Sequence, residues 1–154
     1  MNSDSHITLE GDIVIGLEIS RHIGPRVLYG YISILFEKKL TNDVEIEIPY
    51  IYENSEKYDE SVLYNKEYCY KGILKEYVDD IAMEIKNYIG NTKNFPHCNI
   101  KIIDGANCEI GSCTAFYKII INILLNIFSS GIYKDIYSMK DEDLINAVKS
   151  GCIL

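Results

Sequence analysis

Ile13, Ile15, Leu17 and Ile19 fall on every second position, and that period of two commits the first part of this chain to β-strand. The alternation runs from His6 to Ser20 and breaks between Arg21 and Arg26, where Gly24-Pro25 is a turn signal. It resumes from Leu28 to Phe36, with Tyr29, Tyr31, Ser33 and Leu35 opposed to Leu28, Gly30, Ile32, Ile34 and Phe36. Two such strands around one short turn form an antiparallel hairpin. A third strand is expected from Val44 to Tyr52, where Ile46 and Ile48 oppose Glu45 and Glu47 and Pro49 marks an edge or an irregular end. Glu53 to Lys71 is a polar, tyrosine-dotted connection without a clear period.

After Gly72 the spacing changes to three and four. Ile73, Leu74, Tyr77, Val78, Ile81, Ile85 and Ile89 make one apolar stripe, which predicts a helix from Gly72 to the stop at Gly90-Asn91. Phe95-Pro96 leads into a strand from Cys98 to Ile103, closed by a turn at Asp104-Gly105. A second helix is expected from Cys113 to Phe128, with Ser112 as its N-cap. Lys118, Asn122 and Asn126 are its polar stripe, so it should be the more buried helix. Asp141 to Lys149 reads as a short third helix. The two long helices should cover one side of the sheet, burying Ile81, Ile85, Ile120, Leu124 and Ile127.

The chain has 154 residues and no linker that would divide it, so one domain is expected over 1–154, with a core from about 7 to 128 and an extension over 129–154. Its formal net charge is −8, which disfavours general affinity for nucleic acid. The five cysteines lack the spacing of a secreted framework and read as reduced thiols. No signal peptide or lipidation motif is visible, and the most apolar run, Ile119 to Phe128, is too short to span a bilayer. A soluble cytoplasmic protein is the expectation. The phosphate-cradling glycine loops of nucleotide-binding proteins are missing, and the three histidines have no metal spacing. Neither nucleotide, cofactor, metal nor membrane is therefore expected as a partner. Cys113 at a helix N-terminus, with His97 as its base, sketches a thiol enzyme.

Three segments carry a resemblance. Gly24-Pro25-Arg26-Val27-Leu28-Tyr29-Gly30 opens a strand, and Ile73-Leu74-Lys75-Glu76-Tyr77-Val78 opens a helix. Asp104-Gly105 follows a strand, and Glu109-Ile110-Gly111-Ser112 precedes the last long helix. In this order they resemble domain IV of elongation factor G and the related ribosomal protection proteins, which read G-G-R-G-Q-Y-G, I-P-K-E-Y-I and D-G-S-Y-H-D-V-D-S-S. Gly24, Arg26, Tyr29 and Gly30 match the first motif, and Ile73, Lys75, Glu76 and Tyr77 match the second. Asp104, Gly105 and Ser112 match the third. The likeness covers about Ile7 to Phe128. Pro25, Val27 and Leu28 depart from the first motif; Asn107 and Cys108 stand where the family has Tyr and His, and Gly111 replaces an Asp.

The resemblance implies an α/β fold of the α+β two-layer kind: a mostly antiparallel sheet with a left-handed βαβ crossover and helices on one face. It implies a non-catalytic binding domain whose two tip loops contact the ribosome, at the ribosomal RNA of the decoding region, or a translation factor. The implied binding residues are Arg21, Gly24, Pro25 and Arg26 in one loop and Gly105, Asn107, Cys108 and Glu109 in the other. Physically, Arg21, His22 and Arg26 are the densest positive charge in an acidic chain, and arginine donates bidentately to phosphate. Solvated turn residues would look the same in sequence. Tyr29 and Tyr77 read as core residues with satisfied hydroxyls rather than as stacking platforms. The alternatives are an accessory protein-interaction domain that has left the ribosome, and the thiol enzyme.

Overall fold

Two long strands, β1 (Ile13–Ile23) and β2 (Arg26–Lys38), pair antiparallel from Ile13↔Phe36 to Ile23↔Arg26, so the alternating apolar residues close into one hairpin. In chain order β3 (Ile46–Glu47), β4 (Cys69–Lys71), helix α1 (Lys75–Gly90), β5 (Cys98–Cys108) and helix α2 (Thr114–Ser129) follow. The computed structural model describes residues 11–39, 45–48, 56–59, 61 and 68–131. The expected third helix and the outer parts of the first and third strands lie outside these residues. No helix among the described residues is long and apolar enough to cross a membrane.

The sheet has the order β1-β2-β5-β3, with β4 also on β5. All pairings are antiparallel except β3 with β5, where Ile46 faces Ile100 and Glu47 faces Lys101. β5 thus divides its outer edge between β3 near its start and β4 near its end. The mixed, mostly antiparallel sheet with two helices is the expected α+β arrangement.

Alternation decides what each face carries. Ile32, Ile34 and Phe36 of β2 and Cys98, Ile100 and Ile102 of β5 are buried in the main core with both helices. Gly30 belongs to this face, and a Cβ there would stand 2.6 Å from Ile120 Cδ1, so α2 packs directly on the β2 backbone. Phe128 stacks on Phe36 with ring centroids 3.8 Å apart. α1 lies against α2, where Asn122 donates from Nδ2 to Glu84 Oε1 at 2.6 Å and the Tyr88 and Ser129 hydroxyls are 3.0 Å apart. Ile81, Ile85, Ile120, Leu124 and Ile127 are all buried, as their helical phase predicts. The other face is more open: Val14 and Ile103 are exposed there. Near the hairpin end it holds a second, smaller cluster of Tyr29, Cys69, Ala106 and Cys108, covered by Tyr58 and Tyr68.

Several boundaries differ from the sequence expectation. Helix α1 begins at Lys75 rather than Gly72, because Gly72 N donates to Gly105 O and keeps the residues before Lys75 against the sheet. The strand expected to end at Asp104-Gly105 continues to Cys108. A β-bulge absorbs the signal: the register steps from Ile34↔Ile102 to Ser33↔Asp104, which leaves Ile103 as the extra residue. Gly105 is there for close approach, because a Cβ would meet Ile73 Cγ1 at 2.8 Å. Ser112, expected as the N-cap of the last helix, is displaced from that role by Cys113. Its hydroxyl is occupied by strand backbone instead.

Candidate functional site

The hairpin turn has only two central residues, Gly24 and Pro25. Gly24 has φ +59°, and proline holds the next φ negative, near −65°. That sign pattern is a type II′ turn, whose twist suits a tight hairpin. Pro25 forbids the type I′ alternative, which needs positive φ at both positions.

The second turn, residues 109–112, leaves β5 at the same end. β5 runs antiparallel to β2, so its C-terminus arrives where β2 begins. Tyr29 N donates to Gly111 O at 3.1 Å, which lays the second turn directly against the hairpin. Ser112 joins three segments: its Oγ accepts from Cys108 N and donates to Tyr29 O, both at 2.8 Å. Tyr77 of α1 donates to Ser112 O at 3.4 Å. The expectation that the two turns sit side by side at one end of the sheet therefore holds, with the second turn five residues later than Asp104-Gly105 suggested.

Their surface is smaller than the sequence suggested. Arg21, His22, Gly24, Pro25 and Arg26 are exposed on the hairpin, and Glu109 is exposed on the second turn. Gly105, Asn107 and Cys108 are buried and form no part of a projecting surface. The cause is β4, which pairs Tyr70 with Asn107 and Cys69 with Cys108 and so encloses the end of β5. Asn107 points inward, donating from Nδ2 to Gly72 O at 2.9 Å, and holds the chain entering α1. Ile110, in the same turn as Glu109, is 65% exposed, and its position in a polar-looking loop gave no sign of this.

Register places the two arginines together. Arg21 opposes Leu28, and Arg26 opposes the position two residues beyond Arg21, so they are diagonal neighbours on one face of the hairpin. Such neighbours lie about 7–8 Å apart, within reach of a shared phosphate for long side chains. Neither takes part in an ion pair among the described residues; those involve Lys39, Lys71 and Lys101.

Tyr29 is fully buried, and its hydroxyl donates to Glu18 Oε2 at 2.5 Å. Burial, then this bond to a carboxylate, raises the hydroxyl well above the ordinary tyrosine range. Tyr117 is also fully buried and donates to Ala106 O at 2.8 Å; burial again raises it. These tyrosines fix strands and helix beneath the turns and offer no ring to a base. Cys113 and His97 flank opposite ends of the eleven-residue β5, roughly 30 Å apart along the strand, and are not brought together. No group of three metal-ligating side chains is assembled among the described residues.

Among solved structures, the chain is similar to a crystal structure of a protein from Thermus thermophilus, with a TM-score of 0.51 and 13% identity. The match covers 80% of this chain and 16% of that one, so the likeness is one of fold to a small part of a much longer protein. No protein-family model and no curated protein matches the sequence.

Proposed function

We propose that this chain is a non-catalytic binding domain that uses the hairpin tip to contact phosphate in a structured RNA, in the manner of the elongation factor G domain IV it resembles. The ribosome, at its decoding region, is the partner the resemblance suggests. The observation that carries this reading is the pair Arg21 and Arg26: exposed, on one face of a narrow hairpin, and without an ion-pair partner among the described residues. A projecting pair of guanidinium groups can reach into an RNA-lined site while the body, at a net charge of −8, stays away from other phosphates. Such contacts fix position and orientation and carry no base preference.

Ile110 favours a second reading. An exposed isoleucine in the turn that packs on the hairpin suits the edge of a protein contact, as in an accessory domain that keeps the fold but binds a translation factor. Co-sedimentation with ribosomes separates the two. The RNA reading expects association that falls with salt and is lost on reversing both arginine charges. Absence of association from purified ribosomes at low salt sinks it.

A further inference from the structure

We propose that Cys69 and Cys108 are a redox-active dithiol, which a hydroperoxide converts into a disulfide clamping β4 onto β5 at the base of the two turns. The two residues face each other in the antiparallel register of β4 and β5. Glu109 N donates to Tyr68 O at 3.0 Å and Gly72 N donates to Gly105 O at 2.7 Å. These bonds mark 68/109 and 72/105 as hydrogen-bonded pairs, and since the two kinds alternate, 69/108 is a non-hydrogen-bonded one. Cα atoms in such a pair lie about 4.5 Å apart with side chains close together, inside the roughly 4.4–6.8 Å span that a disulfide bridges.

The side chains share one small cluster with Tyr29 and Ala106, and both are free thiols. Cys69 Sγ also donates to Ser61 Oγ at 3.6 Å. The other described cysteines are placed elsewhere. Cys98 starts β5, ten residues before Cys108 and on the helix-covered face, and Cys113 caps α2.

The chemistry balances with the peroxide as oxidant. One thiolate attacks a peroxide oxygen; the S–O bond forms, the O–O bond breaks, and the leaving oxygen takes a proton to become water. The second thiol then attacks the sulfenic sulfur, the S–S bond forms, and the S–O oxygen leaves as a second water. Two thiols lose two electrons and two protons, and one hydrogen peroxide becomes two waters. Burial, resisted by the Ser61 hydrogen bond and reinforced by the neighbouring Cys108, pushes the Cys69 thiol up to about 11. The Cys69 thiolate is therefore scarce at neutral pH, so attack by Cys69 quickens as pH rises.

The test is to incubate the full chain with hydrogen peroxide, remove the oxidant, alkylate in denaturant and count thiols by intact mass. The expected count falls from the five cysteines of the sequence to three. Peptide mapping should join the Cys69 peptide to the Cys108 peptide, and dithiothreitol should restore all five. Cys69→Ser and Cys108→Ser should each keep four alkylatable thiols under the same treatment. If either fails to fold, the variant Cys98→Ser/Cys113→Ser/Cys152→Ser retains only the proposed pair and should go from two thiols to none. A linkage between any other two cysteines overturns the proposal. So does a count that stays at five under peroxide that does oxidise the urea-unfolded chain. This dithiol is independent of what the turns bind.

Discussion

The backbone of Gly111 lies against the carbonyl oxygen of Val27, so closely that a Cβ on Gly111 would stand 2.4 Å from that oxygen. Gly111 also has φ +131°, a conformation that a side chain strains. The second turn can press onto the hairpin because residue 111 carries no side chain.

Gly111→Ala should therefore destabilise the fold by at least about 2–3 kcal/mol, from backbone strain together with the clash. Equilibrium urea unfolding measures it. A midpoint equal to that of the parent chain would show that the second turn does not rest on Val27.

Arg21→Glu and Arg26→Glu act on exposed side chains and should leave the urea midpoint within about 0.5 kcal/mol of the parent. Each should weaken ribosome association by about 1–3 kcal/mol, the scale of a charge-assisted contact. Sedimentation across a salt series provides the number. Unchanged association in both folded variants would remove the tip from the interface.

Phe128→Ala should cost about 3–5 kcal/mol, because it opens a cavity beneath the sheet where Phe128 stacks on Phe36 and also meets Phe95. Phe128→Leu should cost less, since more of the volume stays filled. Equal losses in the two variants would argue that packing at this point is already loose.

Alkaline pH should unfold the chain in two stages. Burial pushes the Cys98 thiol up to about 12 and raises the Tyr29 and Tyr117 hydroxyls above the ordinary range. The folded chain keeps these protons where the unfolded chain gives them up. Their contribution is thus complete below the unfolded values and is lost as pH climbs through and beyond them. The urea midpoint should hold to about pH 8, decline from about pH 9 as thiols ionise in the unfolded chain, and decline faster above about pH 10 as tyrosines follow. Each group adds about 1.4 kcal/mol per pH unit to the slope. Cys98→Ala should flatten the first stage. A midpoint that does not move up to about pH 11 would contradict the burial of these groups.

The hairpin and both long helices were legible because their signals are local. A period of two around Gly24-Pro25 and an isoleucine stripe from Ile73 to Ile89 need no distant partner to be read. The second turn was misplaced because Asp104-Gly105 looks like a strand end, whereas a bulge at Ile103 and the neighbouring Ile73 keep it in the sheet. β4 was invisible: three residues in a polar stretch form a strand because β5 on one side and residues 56–58 on the other supply their partners. With β4 unseen, Asn107 and Cys108 looked available at the surface. Ser112 was misread as the cap of α2, because Cys108 N and Tyr29 O occupy its hydroxyl and Cys113 stands at the N-cap position.

The divided outer edge of β5 has a kinetic meaning. β1 and β2 meet across a two-residue turn, so their pairing closes early and at small entropic cost. β5 must find β2 across a separation such as the 62 residues between Glu37 and Asn99, and β3 and β4 then claim different lengths of the same edge. That ordering makes the hairpin the expected nucleus and the closure over Tyr29 the last event. Pulsed hydrogen exchange during refolding should protect the amides of residues 13–23 before those of residues 69–71. An opposite order would place the nucleus on β5. Until the closure is complete, Cys69 and Cys108 remain open to solvent, and the chain is most exposed to oxidation while it is still folding.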